Sequence, residues 1–175
     1  MYTLQNKYDA LHTEKKSQFY SFLIPVISEE EYKKVLKDIK REYSDATHWC
    51  YAVRYMNNNT LIEKSSDNGE PNGTAGKPIL NVLKSKELVD VLLVVVRYFG
   101  GIMLGIPGLI KAYKGASEKV LLKAQIIPFR KYKLFHDTLS LSDYDSWKYS
   151  LEQKGGIIVN ISFGIVVEVD YKLPI

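Results

Sequence analysis

The pattern of apolar and polar residues divides the first two-thirds of the chain into strands and helices. The aromatic stretch 17–26 and the alternating stretch 46–56 each predict a strand. Between them, Ser28 and Glu31 form a capping-box pattern, and apolar residues then recur at three- and four-residue spacing. This spacing predicts an amphipathic helix over 29–43.

Five further segments follow up to residue 124: a short strand (61–64), a loop (65–78), a short helix (79–83), a strand (91–96) and a helix (108–124). The run 91–96 is apolar at every position, which predicts a strand buried on both faces. A glycine-rich segment, 97–108, connects this strand to the last helix. The predicted buried side of that helix carries Ala112, Tyr113, Ala116 and Val120.

Residues 126–175 predict a second, smaller unit in the order strand, helix, strand, strand. We therefore expect an α+β protein with one domain at 1–125 and another at 126–175. A unit of this size is near the lower limit for independent folding. We expect it to pack on the first domain or to form a homo-oligomer.

Composition indicates a globular chain in a reducing, cytoplasmic setting. The 175 residues are 46% apolar and 25% charged, and the longest apolar run has six residues, too few to span a bilayer. The N-terminus lacks the apolar core of a signal peptide. The single cysteine, Cys50, cannot form an internal disulfide or a structural zinc site alone. We expect no metal and no cofactor.

The charge distribution indicates where an anion would bind. Residues 1–125 carry 18 basic and 14 acidic side chains, whereas residues 126–175 carry 6 of each. The whole excess of +4 therefore lies in the first domain. It is too small for a dedicated nucleic-acid-binding stripe.

Two glycine-rich loops are candidate anion sites. In the first, Gly76 and Lys77 fit a phosphate-binding P-loop, but Pro71 and Pro78 occupy the positions of its first glycine and its hydroxyl. A surface loop, or a nest of backbone N–H groups around Gly73–Gly76, remains open. The second loop lacks the glycine spacing of a dinucleotide-binding turn.

The second loop leaves two interpretations open: close packing on the sheet, or anion binding at the start of the helix that follows it. In the second interpretation Pro107 lies in the first turn, and Arg97 contributes a charge at the strand end. Lys77 and Lys111 would complete an anion site formed with the backbone of both loops.

Catalytic chemistry has weaker support in the sequence. His48 and Cys50 are two residues apart on a strand and so share a face, but a buried structural pair is the favoured interpretation. A metal at His48, Asp67 and Glu70 is conceivable and is not predicted. Aromatic residues beside basic ones, such as Tyr98 and Phe99 beside Arg97, could stack nucleic-acid bases or fill the core.

Three segments resemble the YigZ/IMPACT family in order and spacing: ATHWCYAVR (46–54), SSDNGEPNGTAGKPIL (65–80) and VVVRYFGGIMLGIPGLIKAYKGA (94–116). The start KKSQF at 15–19 fits as well. Residues 126–175 resemble, more loosely, the small C-terminal domain of the bacterial branch.

The resemblance implies a two-domain α+β protein. Its first domain would share the fold of the fourth domain of elongation factor G, with a mixed sheet and helices on one face. Its second domain would be ferredoxin-like. Eukaryotic members regulate translation through protein partners, and the fold suggests a nucleic-acid or ribosome-related role for bacterial members.

Three departures from the family pattern are visible. Asn68 stands where the family usually has a second acid, and Ile106 and Pro107 replace a small residue and a glycine. The sequence ends at Ile175 after strand, helix, strand and strand, so we expect an incomplete ferredoxin-like domain. The N-terminal partner-binding domain of the eukaryotic branch is not in this sequence.

We therefore expect a non-enzymatic protein that contacts RNA, ribosomes or a translation factor. The expected binding residues are His48, Arg54, Asp67, Glu70, Gly73, Thr74, Gly76, Lys77, Arg97, Tyr98, Gly100, Gly101, Gly105, Lys111 and Tyr113. A protein-docking module is a further possibility. The alternative is an enzyme acting on a small phosphorylated or peptide-like substrate at the two loops, with Asp67 or Glu70 as acid/base and His48 as helper.

Overall fold

A five-stranded sheet forms the centre of the first of two structural units. The structure, a computed structural model, describes all 175 residues. They divide into the units Met1–Phe129 and Arg130–Ile175.

Ten strands and four helices follow one another along the chain. In order they are β1 (Tyr2–Thr3), β2 (Tyr8–Glu14), β3 (Ser17–Pro25), α1 (Glu29–Glu42), β4 (His48–Asn57), β5 (Thr60–Ser66), α2 (Gly76–Ser85), β6 (Val91–Tyr98), α3 (Gly105–Leu121), β7 (Ile127–Pro128), β8 (Tyr132–Leu139), α4 (Tyr144–Gln153), β9 (Ile157–Phe163) and β10 (Val167–Pro174). None of the four helices is both long enough and apolar enough to cross a membrane.

The central sheet is antiparallel throughout, in the order β2-β3-β6-β4-β5. The expectation of a mixed sheet is therefore wrong. The connectivity explains why all neighbouring strands are antiparallel. Strands β2–β3 and β4–β5 are hairpins, and β6 lies between them antiparallel to both of its neighbours. The short strands β1 and β7 form a separate pair, also antiparallel.

Helices cover both faces of this sheet, which corrects the expectation that they lie on one face. Helix α1 packs with Leu92, Val94 and Val96 of β6. Helices α2 and α3 pack on the other face with Leu93 and Val95. The predicted burial of β6 on both faces is confirmed, and it requires a cover on each side.

Helix α1 matches its predicted bounds, and its cap explains why. The Ser28 side chain accepts from the Glu31 N–H at 3.2 Å, and the Glu31 carboxylate accepts from the Ile27 N–H at 2.8 Å. Helices α2 and α3 each begin three residues before the predicted start. Pro78 and Pro107 therefore lie in their first turns, where a missing N–H costs no hydrogen bond.

Strand β2 was not predicted, because its pattern is weak. It is an edge strand that pairs only with β3, and Ala10 is its one fully buried residue. The remaining side chains of β2 are exposed or half-buried, so the alternation that marks a strand is faint.

The second unit has the predicted order strand, helix, strand, strand. Its three strands form an antiparallel sheet in the order β8-β10-β9. Helix α4 buries Leu151 against Val167, Val169 and Tyr171 of β10. The Trp147 indole N–H donates to the Asp137 carboxylate at 3.0 Å, which fixes the helix on the sheet.

We predict that Gly100→Ala lowers the free energy of unfolding by about 3 kcal/mol, because the added Cβ would collide with the backbone of Lys16 and Ser17 at the β2–β3 turn. Chemical denaturation followed by circular dichroism measures this change. The matched control is Gly164→Ala, whose Cβ would meet its nearest atom at an ordinary 3.7 Å. Equal losses in the two variants would contradict this assignment.

Candidate functional site

A buried ion pair joins the loop between β5 and α2 to the end of β6. The Arg97 Nη1 donates to Glu70 Oε1 at 2.6 Å, and the two side chains are only 6% and 4% exposed. The Tyr113 hydroxyl of α3 donates to the same oxygen at 2.8 Å. Arg97 Nη2 also reaches the Ser17 hydroxyl of β3 at 3.4 Å. The cluster therefore connects one loop, two strands and one helix.

The backbone N–H groups at the start of α2 do form a nest, and the carboxylate of Asp67 accepts hydrogen bonds from them. Asp67 accepts from the N–H groups of Gly73, Ala75 and Gly76 at 2.8–2.9 Å. Partial burial raises the pKa of Asp67, but the three backbone donors outweigh it and lower the pKa below 3.8. These donors are therefore not available to an external anion, which corrects the expectation of anion binding at Gly73–Gly76.

His48 lies beside the ion pair on β4. Its Nδ1 contacts the Asn68 carbonyl at 2.9 Å, and because a carbonyl only accepts, this nitrogen carries the proton in the neutral ring. The other nitrogen, Nε2, lies 3.8 Å from Glu70 Oε1. The two candidate acid/base groups of the sequence therefore converge.

Cys50 shares the buried side of β4 and is not a nucleophile. Its Sγ lies 2.9 Å from the Asp67 carbonyl oxygen and 3.3 Å from the Tyr113 hydroxyl. Burial raises the pKa of the Cys50 thiol to about 12, so the thiolate is scarce at neutral pH. Burial also raises the pKa of Tyr113, which keeps its hydroxyl protonated as a donor to Glu70. The thiolate–imidazole pair is thereby excluded.

Two predicted residues lie away from the ion pair and have structural partners. Arg54 donates to Glu63 at 2.9 Å and to the Leu88 carbonyl at 2.7 Å. Tyr98 belongs to the core on the α1 face and donates to Asp45 at 2.7 Å. Arg54 is buried, whereas Tyr98 is only partly buried.

The remaining predicted residues take different positions along the two loops. Thr74 is buried and its hydroxyl donates to the Pro71 carbonyl, while Gly101 and Gly105 are exposed on the second loop. Lys77 and Lys111 are also exposed. Lys77 lines a cleft of about 650 Å³ between α2 and α3, and neither Arg97 nor Lys111 is among its lining residues.

A second cleft, of about 480 Å³, lies directly over the ion pair. Its lining residues are Glu70, Pro71, Arg97, Phe99, Met103, Leu104, Gly105, Ile106 and Leu109. Sequence reasoning named Phe99 only as an aromatic residue beside Arg97 and Ile106 only as a departure from the family pattern, and it missed Met103. Their common signal is a large apolar residue inside a glycine-rich loop. Sequence reasoning also missed Ser17, which lies in the segment 15–19 that fits the family pattern but carries no local sign that it pairs with Arg97.

Comparison with known proteins identifies the class. Residues 15–121 match the family model of the Impact N-terminal domain. The chain is 38% identical over 140 residues to the IMPACT family member YvyE of Bacillus subtilis (strain 168), which covers 80% of this chain and 62% of that protein. It is 36% identical over 163 residues to the IMPACT family member YigZ of Escherichia coli (strain K12), which covers 91% of this chain and 79% of that protein.

The chain therefore belongs to the YigZ/IMPACT family, as its motifs predicted. It spans less than two-thirds of the length of the Bacillus relative. A crystal structure described as that of a hypothetical protein superposes with a TM-score of 0.73 at 29% identity, covering 99% of this chain and 84% of that one.

We predict that Asp67→Asn lowers the free energy of unfolding at pH 7 by about 2 kcal/mol, because the charged acceptor of three N–H groups is lost. A carboxylate with a depressed pKa stabilises the fold above its unfolded pKa, and that contribution is lost as the pH falls through the folded pKa. The difference between the unmodified protein and Asp67→Asn should therefore shrink in acid.

Denaturation curves measured between neutral pH and about pH 2 test this prediction. The control is Asp9→Asn, an exposed acid on β2 with no hydrogen bond to its carboxylate. A difference between Asp67→Asn and the unmodified protein that is constant over the whole pH range would contradict the prediction.

Proposed function

We propose that this protein is a non-enzymatic binding protein that acts in translation or its regulation, in the cytoplasm, by contacting RNA, ribosomes or a translation factor. Membership of the YigZ/IMPACT family supports this proposal, since the motifs of that family imply a translation-related role.

One observation carries the proposal: the segment 99–110, which we call the apolar segment, exposes five large apolar side chains. They are Phe99, Ile102, Met103, Ile106 and Ile110, with exposed fractions between 40% and 84%. Contiguous exposed apolar surface of this kind marks interaction sites in proteins. Four of the five residues lie within the first eight positions of the segment.

Contacts to the β2–β3 turn and to the end of β6 fix the position of the apolar segment. Gly100 lies against the β2–β3 turn, and its N–H donates to the Ser17 hydroxyl at 3.2 Å. The Arg97–Glu70 pair fixes the preceding strand end. A surface that is already ordered loses less conformational entropy when it binds a partner.

Lysines flank the apolar segment on two sides. Lys15 and Lys16 are exposed at the turn that contacts Gly100. Lys111 and Lys114 are exposed on α3, directly after the segment. A surface that combines apolar contacts with lysines suits a ribonucleoprotein, which presents both protein and phosphate.

We predict that the protein co-sediments with ribosomes in a salt-sensitive manner and that the double variant Lys111→Glu, Lys114→Glu weakens this association. The slope of log affinity against log salt should fall by about 2, since each lysine accounts for about one released counterion. Sedimentation at several salt concentrations measures the slope.

The matched control is Lys34→Glu, Lys37→Glu, which has the same change and spacing on the exposed side of α1. Helix α1 covers the opposite face of the sheet from α3, so this control should bind normally. Nuclease treatment of a pull-down separates RNA from protein partners. Absence of any salt-sensitive association with RNA or ribosomes would refute contact with either of them, and a pull-down that also recovers no translation factor would refute the whole proposal.

A second candidate function is an enzyme, which the distance of 3.8 Å between His48 Nε2 and Glu70 Oε1 favours. Both groups lie at the loops where the sequence placed a small phosphorylated or peptide-like substrate, and Glu70 lines the cleft. Asp67 is not a candidate acid/base in this version, because its carboxylate is already bound to the start of α2.

The enzyme candidate predicts turnover that the variant Glu70→Gln abolishes. Chromogenic phosphate esters and peptide anilides are suitable probes, because they represent the two substrate classes. The control Glu118→Gln changes an exposed acid on α3. Lack of turnover with both probe classes would count decisively against an enzyme, and full activity in Glu70→Gln would count decisively against Glu70 as its acid/base.

A further inference from the structure

The guanidinium of Arg97 has more donors than the protein satisfies. Arginine carries five N–H donors, and Arg97 makes two hydrogen bonds, to Glu70 at 2.6 Å and to Ser17 at 3.4 Å. Its Nε is buried and has no hydrogen-bond partner. Arg97 also lines the cleft, so the N–H groups of Nη1 and Nη2 that remain after these two bonds are the donors it can offer to a ligand there.

One carboxylate oxygen of Glu70 accepts no hydrogen bond. Both of its hydrogen bonds, from Arg97 and from Tyr113, arrive at Oε1. The other oxygen, Oε2, remains for a further donor. Since Glu70 also lines the cleft, the cleft offers an acceptor beside the unused donors of Arg97.

The start of α3 adds donors at the same place. Leu104 precedes the helix and provides no capping hydrogen bond, so the N–H groups of the first turn have no side-chain acceptor. Gly105 and Ile106 of that turn line the cleft. The positive end of a 17-residue helix therefore faces the space over Arg97.

The remaining walls are apolar. Phe99, Met103, Leu104 and Leu109 surround the polar floor. The cleft volume of about 480 Å³ falls within the range of small-molecule sites, and such sites combine apolar walls with a few placed polar groups.

We infer that this cleft binds an apolar α-amino acid as its zwitterion. The carboxylate accepts from Arg97 and from the start of α3, the ammonium group donates to Glu70 Oε2, and the side chain lies against Phe99 and Met103. A plain anion fits less well, because Glu70 neutralises Arg97 and would repel a second carboxylate. This inference goes beyond the proposed function and does not require ribosome contact.

A carboxylate on an apolar residue is also the chemistry of a peptide C-terminus, and three probes separate the two sources. We expect L-leucine to shift the amide NMR signals of residues 99–109 in the full chain. L-leucinamide, which lacks the carboxylate, should bind at least about tenfold more weakly, a loss of about one charge-assisted hydrogen bond. N-acetyl-L-leucine lacks the ammonium group and should be weaker too.

Substitutions test the placement of the ligand. Ile106→Glu puts a carboxylate at the start of α3, at a side chain that is 59% exposed, and should reduce leucine affinity by about tenfold. The control Ile27→Glu makes the same change at a side chain that is 69% exposed and does not line the cleft, and it should bind normally. Glu70→Gln should weaken leucine, which loses the acceptor of its ammonium group, and should strengthen N-acetyl-L-leucine, because the charge that repels its carboxylate is removed.

Each outcome has a definite meaning. Equal binding of L-leucine and N-acetyl-L-leucine would overturn the zwitterion and assign the cleft to a peptide C-terminus. No signal shift with either compound up to about 10 mM, or undiminished binding by Ile106→Glu, would overturn the site itself. The titration contains no ribosomes, so its failure leaves the sedimentation result standing, and the reverse also holds.

Discussion

The ion pair between Arg97 and Glu70 is the constraint on which the two loops depend. It connects the end of β6 with the segment before α2, and Tyr113 adds α3 to the same carboxylate oxygen. Buried ion pairs are weak contributors to net stability, because desolvation offsets most of their attraction. Their value here is geometric: the pair permits only one relative position of the loops, and that position creates the cleft and presents the apolar segment.

Much of the fold could be predicted because its strongest elements carry local signals. The uninterrupted apolar run of β6 indicated burial on both faces, and the capping box of Ser28 and Glu31 marked the start of α1. The number of helix layers and the sheet direction could not be predicted this way. They depend on where β6 inserts between two hairpins, which is a property of long-range pairing and not of any local pattern.

The residue types of the site could be predicted from the sequence, but the hydrogen-bond partners of those residues could not. The sequence grouped His48, Asp67 and Glu70 as a conceivable set. His48 and Glu70 do lie together, but the Asp67 carboxylate binds the start of α2 instead. Arg97 was grouped with Lys77 and Lys111 by charge and by the glycine-rich loops. Its hydrogen-bond partners are Glu70 and Ser17, and no local pattern shows a pairing with Ser17 across 80 positions. The sheet buries Arg97 and leaves both lysines in solvent.

The carboxylate of Asp67 makes the starts of α2 and α3 behave differently towards the surrounding solution. Because this carboxylate is part of the chain, it competes with free anions for the start of α2 at an effective concentration in the millimolar range or above. The concentration of phosphate or of anionic metabolites in solution therefore has little effect on the start of α2. The start of α3 has no side-chain acceptor of its own, so any further acceptor there has to come from outside the helix cap. The same feature of a helix, its unpaired first N–H groups, is thus closed by the chain itself at α2 and left without a side-chain cap at α3.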